Sequence, residues 1–456
     1  LLSDENVIMS QPGEFFNFWP KSSITYTATD AIDISVSSEF PAIIYDGVQT
    51  NSGLLLFSKN QQYLVTTDSD VLSPQTAKIN TISTYNFNFN TNPISLGTTT
   101  AFLDNAGKFS RLWEMANVLR EGEPVVVDQT KVVSKLFDKD LNLIANSREN
   151  SIIFFTKKDS STIYGYKYFS SSEKRLQQSW FTWELAGTIQ HIAVLDDALF
   201  VVLRNNSKDA LQKIPIKIDD DTHTSVDDKG TTDTSDDVTY RIHLDNSKVV
   251  ASSAASYSAG TDKTTFTLPD GFNNSSGQLV VYVVPSADDD TFSGMTAKAT
   301  LNGSTVELAG NWKTYVDTDG NTQTPANNFV LGYNYDMEIQ FPTIYYTQQT
   351  GDVIKVDTNG SLIIQRIKVN FGGKGLYETT IDRVGKPSYT EKWEAPLADS
   401  YDANQVAIDD FITQTIPIYE KNKNLTIKLK STHPAPATLY SMSWEGDFTN
   451  NFYQRV

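Results

Sequence analysis

The sequence predicts a mainly β protein, on the strength of three observations. Short apolar segments, such as residues 43–45, 53–57 and 62–66, follow one another closely with turn residues between them. The chain contains 24 Phe, 21 Tyr and 7 Trp, which favour strands over helices. Helical periodicity is rare. Evenly spaced short strands are typical of a sandwich, a barrel or a propeller, and the spacing alone leaves all three open.

Further strands are predicted along the first two hundred residues, at 24–26, 32–36, 101–103, 152–156, 163–168, 189–194 and 199–203. Asp46-Gly47 and the segment from Asn105 to Gly107 predict turns between strands. The best helical candidate is the segment 132–145, whose apolar residues have partly helical spacing.

Length and composition narrow the class of protein. A chain of 456 residues suggests two to four domains, or one large β architecture. The absence of cysteine excludes disulfide scaffolds, thiol catalysis and cysteine-ligated metals. The net charge of −18 argues against tight wrapping of nucleic acid but is compatible with a surface past which nucleic acid slides. No apolar stretch is long enough for a membrane helix. The start at Leu1, without Met, predicts that the natural protein continues upstream.

An acidic segment at residues 219–237 divides the chain. It contains eight Asp and one Lys, and Val226 is its one aliphatic side chain. This composition predicts a flexible, solvated loop, with a calcium-binding loop as the alternative. After it, short strands and tight-turn pairs such as Asn302-Gly303 predict a separate small β domain up to residue 341. Longer alternating strands resume after residue 342.

Residue patterns that would carry catalysis are mostly missing. The four His, at positions 191, 223, 243 and 433, form no zinc-binding pair, and no GxSxG motif occurs. His191 lies in an apolar strand, so we expect a hydrogen-bonded core histidine. The glycine-rich segment 372–375 lacks the phosphate-loop spacing and is interpreted as a hairpin turn. The segment 317–321 lacks the Gly and Glu of a calcium loop, so an Asp-Gly turn is favoured.

Four segments, in order along the chain, together resemble one protein family. They are residues 9–19 (MSQPGEFFNFW), residues 54–74, residues 178–183 together with 196–204, and residues 433–436 together with 443–446. These segments resemble motifs of the tail nozzle proteins of short-tailed bacteriophages (podoviruses), also called tail tubular protein B. The residues that carry the resemblance are Ser10, Gln11, Pro12, Gly13, Trp180, Trp183, Trp444, Glu445 and Gly446.

These residues also have a purely structural interpretation. Pro12 and Gly13 suit a turn, since Pro fixes φ and Gly tolerates positive φ. Trp180 and Trp183 are most simply large packing aromatics, and the Trp444 segment is interpreted as the end of a strand.

The resemblance implies a β-propeller with an inserted small β domain and a C-terminal β segment returning to the main body. The implied domains are propeller blades at 1–215, an inserted β domain at 216–341 containing the acidic flexible loop 219–237, and closing strands at 342–456. The implied function is structural: a hexameric nozzle in the virion, with a channel for genome retention and ejection, and with no catalytic residue, cofactor or metal.

The resemblance also implies partners. These are other copies in a homo-hexamer, the ring of the tail adaptor protein (tail tubular protein A), tail fibres, and double-stranded DNA that passes the lumen without sequence-specific binding. Two alternatives stay open. One is a propeller glycoside hydrolase or depolymerase that cuts host surface polysaccharide with an Asp/Glu pair. The other is a non-enzymatic carbohydrate-binding module.

Overall fold

The computed structural model describes most of the chain and divides it into two compact units, Leu1–Ile218 and Asp219–Val456. The described residues are 1–21, 24–38, 42–67, 69–105, 107–116, 123–170, 175–205, 208–217, 224–227, 235, 238–269, 278–283, 296–316, 321–323, 328–350, 353–373, 376–394, 397–398, 405–406 and 409–450. These residues form strands and three short 3₁₀ turns, with no α-helix among them, so the mainly β prediction is confirmed. In this part of the chain no helix is long and apolar enough to cross a membrane.

Five antiparallel sheets follow one another along the first unit, each built from consecutive strands. Sheet 1 contains β1 (Leu2–Ser3), β2 (Asn6–Met9) and β3 (Ile32–Ser35); sheet 2 contains β4 (Ile44–Thr50), β5 (Gly53–Ser58), β6 (Gln62–Thr67) and β7 (Ala77–Ser83); sheet 3 contains β8 (Ile94–Ser95), β9 (Thr99–Asp104), β10 (Arg111–Ala116) and β11 (Val126–Asp128). Sheet 4 contains β12 (Leu143–Ser147), β13 (Ile152–Thr156), β14 (Thr162–Ser170) and β15 (Arg175–Glu184); sheet 5 contains β16 (Thr188–Leu195), β17 (Ala198–Asn205) and β18 (Lys208–Pro215). A 3₁₀ turn at Lys131–Val133 follows sheet 3.

Each sheet packs face to face on the next, and alternate residues of one strand enter different cores. On β13, Ile153 and Phe155 enter the core between sheets 3 and 4, whereas Phe154 enters the core between sheets 4 and 5. On β9, Phe102 faces sheet 2 while Leu103 faces sheet 4. Side chains alternate across a strand, so a strand covered on both faces must be apolar throughout. The uninterrupted apolar runs in the sequence therefore reflect sheets buried on both sides.

The second unit contains two larger pairs of sheets and several hairpins. The first pair is β21 (Asp245–Val250), β30 (Phe329–Asn334), β24 (Gln278–Val283) and β25 (Thr296–Lys298), against β22 (Ser256–Ser258), β23 (Lys263–Thr267), β27 (Thr305–Ala309) and β26 (Thr300–Asn302). The second pair is β31 (Met337–Gln340), β40 (Leu425–Ser431), β35 (Leu376–Arg383) and β36 (Tyr389–Glu394), against β39 (Asp409–Lys421), β34 (Ser361–Gly373) and β41 (Leu439–Thr449). Hairpins join β19 (Thr224–Asp227) to β20 (Val238–Arg241), β28 (Tyr315–Val316) to β29 (Thr322–Gln323), β32 (Tyr346–Thr350) to β33 (Val353–Asp357), and β37 (Leu397–Ala398) to β38 (Gln405–Val406); the remaining 3₁₀ turns are Ser252–Ala254 and Asn422–Asn424.

Each pair of sheets encloses its own core. In the first sandwich, Phe266, Val281 and Phe329 are buried between the sheets. In the second sandwich, Ile367 of β34 and Leu429 of β40 meet across the core. The predicted strands of residues 239–341 form mostly the first sandwich. The prediction that residues 342–456 return to the main body stays a prediction.

Two predicted elements of the first unit are wrong. The helical candidate 132–145 contains only the 3₁₀ turn and the start of β12, because Phe137 and Leu141 enter the core between sheets 3 and 4 from an irregular connection. The strand predicted at 24–26 lies in the connection from β2 to β3. There the carboxylate of Asp30 binds the backbone amides of Lys21 and Thr27, at 2.9 and 2.6 Å.

Two predicted turns are wrong as well. Asp46-Gly47 lies inside β4, next to an irregular register between Ile44 and Asp46. An irregularity of this kind accommodates an extra residue within the strand, so the chain continues as β4 and does not turn. The glycine-rich segment 372–375 does not join two paired strands as a hairpin would, since β34 and β35 belong to opposite sheets of the second sandwich; residues 374 and 375 lie outside the described residues. By contrast, Asn302 and Thr305 pair across a two-residue turn in which Gly303 has φ +62°, as the sequence predicts.

Most of the acidic segment 219–237 lies outside the described residues. Within it, Thr224–Asp227 forms β19, and Val226 pairs with Thr239 of β20. The residues of the predicted Asp-Gly turn at 317–320 also lie outside, and their flanking strands β28 and β29 form a hairpin.

Candidate functional site

The first family motif forms a compact frame around Gln11. This side chain is buried, and its amide Nε2 donates to the carbonyl oxygen of Trp19 at 2.5 Å. The backbone amide of Gln11 donates to the carbonyl of Asn17 at 2.9 Å. Ser10 and Pro12 flank Gln11, and Gly13 has φ +79° with open space around it, so this position needs glycine for its backbone conformation.

The frame displays aromatic side chains outward. Phe15, Phe16 and Trp19 have 79%, 96% and 80% of their surface exposed. The sequence predicts a turn here but not this exposure, since aromatic residues are more often buried. The signal that could have indicated it is the close spacing of these aromatics within a turn motif that has no strand periodicity.

Trp180 and Trp183 lie on opposite faces of β15. Trp180 packs on Tyr166 and Phe137, with ring centroids 4.4 and 5.1 Å apart, in the core between sheets 3 and 4. Trp183 packs on Phe154, 5.4 Å away, in the core between sheets 4 and 5. A spacing of three residues along a strand places side chains on opposite faces. The two tryptophans therefore join sheet 4 to both of its neighbours, which agrees with the structural interpretation.

A buried ion pair joins sheets 3 and 4 next to Trp180. Glu114 on β10 is 5% exposed and pairs with Arg175 on β15. The carboxylate also accepts from Thr99 Oγ1 at 2.6 Å and from Gln129 Nε2 at 2.7 Å. Arg175 donates to the hydroxyl of Tyr166, and burial raises the pKa of Tyr166 to about 12, so this phenol stays protonated. No sequence pattern indicates this network, because its members lie far apart along the chain.

The C-terminal motif anchors β41 on β34. Trp444 packs against the core of the second sandwich. Glu445 binds Arg366 Nε at 2.5 Å and Lys368 Nζ at 2.8 Å, and the hydrogen bonds from Lys368 and Arg366 lower the pKa of this carboxyl. A Cβ at Gly446 would lie 2.3 Å from the carbonyl oxygen of Ile363, so the strands can approach this closely only with glycine.

The segment from His433 to Pro436 covers the outer face of the first sandwich. Ala435 is buried with Ile242 and Tyr282 in a separate core. The backbone amide of His243 donates to the carbonyl oxygen of Pro434 at 2.7 Å, and burial lowers the pKa of the His243 imidazole. This segment thus fixes the chain between β40 and β41 on β24 and β30.

The remaining histidines are His191 and His223. The prediction of a core histidine at His191 is wrong, because a register shift between Ile189 and His191 turns this side chain outward while Ile192 is buried. His223 lies outside the described residues. Among those that are described, no group of three or more His, Asp or Glu could hold a metal ion.

Within the first unit, the first motif lies in the connection between β2 and β3 and the two tryptophans lie in sheet 4, and no described contact joins them. The two tryptophans, the C-terminal motif and the buried network hold sheets together, and the described strands define the class as a mainly β protein. The sequence model of the bacteriophage nozzle protein family matches residues 1–455, and the chain belongs to that family.

The chain is similar to the tail tubular protein gp12 of Escherichia phage T7. The identity is 22% over 463 aligned residues, which cover 98% of this chain and 54% of that protein. The chain therefore spans about half the length of this relative. Family and relative together identify a structural protein of the virion tail, as the sequence predicts.

Two solved structures show weak similarity to the chain. Exo-β-1,3-galactanase from Phanerochaete chrysosporium, with galactose, matches with a TM-score of 0.22 and 9% identity, over 93% of this chain and 98% of that one. A variant of the same enzyme with β-1,3-galactotriose also matches with a TM-score of 0.22. The identity is 8%, over 91% of this chain and 87% of that one. A TM-score this low carries no argument about fold or activity.

Proposed function

We propose that the chain forms part of a hexameric nozzle with a central channel, which retains the phage genome and then lets it leave. The observation that carries this proposal is the family match over residues 1–455. We expect the contribution to be mechanical and not catalytic. The expected partners are further copies of the chain, the ring of the tail adaptor protein, tail fibres, and the DNA in the channel.

The first unit is proposed to be a set of β-propeller blades. Propeller blades are four-stranded antiparallel sheets that follow one another in the chain and pack face to face. Sheets 2, 3 and 4 each have four consecutive strands, and the five sheets stack in chain order. Sheets 1 and 5 have three described strands each.

The charge of the chain suits a channel for DNA. Each copy carries −18, and a duplex carries about one charge per 1.7 Å of its axis. Lys or Arg contacts repeated around a ring would add up to a brake on DNA movement, whereas carboxylates repel phosphate. We therefore expect acidic side chains to outnumber basic ones along the channel.

Negative-stain electron microscopy of the purified chain tests this function, and six-fold rings with a central hole are expected. Purified rings should bind duplex DNA weakly at physiological salt. A density map of the ring would show which Asp and Glu side chains line the channel. Replacing these residues with Lys should slow genome release without preventing assembly. Hydrolysis of purified host polysaccharide, or tight DNA binding by unmodified rings, would contradict the proposal.

A further inference from the structure

The segment 10–20, called the aromatic loop below, exposes an unusual amount of apolar surface. Phe15, Phe16 and Trp19 are 79%, 96% and 80% exposed. Aromatic side chains contribute about 150–250 Å² each, so these three expose about 500 Å². Specific interfaces bury about 800 Å² on each partner, so the loop alone could supply more than half of that area. The three side chains lie within five consecutive residues of one closed loop, and exposed apolar surface of this extent on a protein marks a contact site.

The loop is ordered by its own hydrogen bonds. Gln11 binds the backbone of Asn17 and of Trp19, at 2.9 and 2.5 Å, and so ties the start of the loop to its end. The backbone amide of Asn17 also donates to the carbonyl of Glu14 at 3.0 Å. A surface that is already ordered loses little conformational entropy on binding, which is the property of effective aromatic anchors.

Charge decides which occupant fits. Glu14 is the one charged residue in the sequence 10–20, and its carboxylate accepts a hydrogen bond from Asn17 Nδ2 at 2.7 Å. Two copies that each carry −18 repel each other over most of their surface. They can meet with least repulsion where the surface is apolar and nearly uncharged. The same acidity, and the lack of Lys or Arg in the loop, disfavour anionic lipid and nucleic acid.

We infer that the aromatic loop docks on a second copy of this chain and is an anchor of the contact between neighbours in a ring. The inference rests on the proposed function, since that function requires assembly. In a ring of more than two copies each contact is heterologous, so the loop of one copy binds a different surface of the next. Phe15, Phe16 and Trp19 are then buried in the assembly and exposed in the single chain.

Sedimentation velocity of the full chain over a range of concentrations tests the inference. The test variant carries Phe15→Ser, Phe16→Ser and Trp19→Ser. The matched control carries Val132→Ser, Leu195→Ser and Leu211→Ser, which are 85%, 62% and 69% exposed in the same unit. We expect the test variant to weaken association at least 100-fold and the control to change it less than about threefold, in keeping with the dominance of a few anchors. Equal circular dichroism and melting temperature show that both variants fold.

The outcomes separate the two proposals. Rings that form equally well in the test variant overturn the role of the loop and leave ring assembly standing. A wild-type chain that stays monomeric at 100-fold the concentration used for microscopy overturns both. Wild-type binding to phosphatidylcholine vesicles that the test variant loses, with association between copies unchanged, assigns the loop to a lipid surface and overturns the inference.

Discussion

Replacing Gly446 by Ala should destabilise the second unit because there is no room for a methyl group. The new Cβ would lie 2.3 Å from the carbonyl oxygen of Ile363 and 3.2 Å from the Cα of Ile364. Both neighbours are backbone atoms of β34, so no side chain can rotate away, and β41 must move out by about 1 Å. Overpacking costs about 1–3 kcal/mol and each weakened hydrogen bond about 1 kcal/mol. We expect the free energy of unfolding to fall by about 2–4 kcal/mol.

Urea unfolding, followed by tryptophan fluorescence at equal protein concentration, measures this loss. Trp444 lies two residues away and reports on the same strand. The control is Gly303→Ala, where φ is +62° but no atom lies within 4 Å of a new Cβ. Its cost comes from backbone conformation alone and should be about 1 kcal/mol. The reasoning is refuted if Gly446→Ala costs no more than this control.

Three further outcomes are expected. Arg175→Met should lower the free energy of unfolding by about 3–5 kcal/mol, because Glu114 would keep a buried charge without its cation. Adding Glu114→Gln should recover part of this loss, and urea unfolding that shows simply additive losses for the two substitutions would contradict the explanation. Trp180→Ala should cost about 3–5 kcal/mol and more than Trp183→Phe, as measured by thermal unfolding. Backbone hydrogen bonds from Thr27 and Lys21 lower the pKa of Asp30. The ionised carboxylate therefore stabilises this connection above the ordinary Asp pKa, and the stabilisation is lost as pH falls below about 4. Protease cleavage near residues 20–30 should increase below that pH, and Asp30→Asn should remove this pH dependence.

Local patterns in the sequence were enough to predict the mainly β class and the family. Runs such as Ile153–Phe155 indicated strands because local propensity and apolar content suffice for that conclusion. The motifs around Gln11, Trp180 and Trp444 identified the family because each is a short local pattern. Gly303 in its tight turn was predictable for the same reason, since the turn needs only neighbouring residues.

Which partners those local elements meet depends on the tertiary structure and could not be predicted. His191 points outward because of a register shift, and a shift of one residue exchanges the two faces of a strand. Phe137 and Leu141 have helical spacing yet fill a core between two sheets from an irregular connection. Glu114 finds Arg175 across 61 residues of sequence, and no local pattern encodes such a pair. Phe16 is exposed in a loop that the buried Gln11 holds closed, so the surface that we assign to a neighbouring copy depends on hydrogen bonds within the loop that periodicity and composition do not reveal.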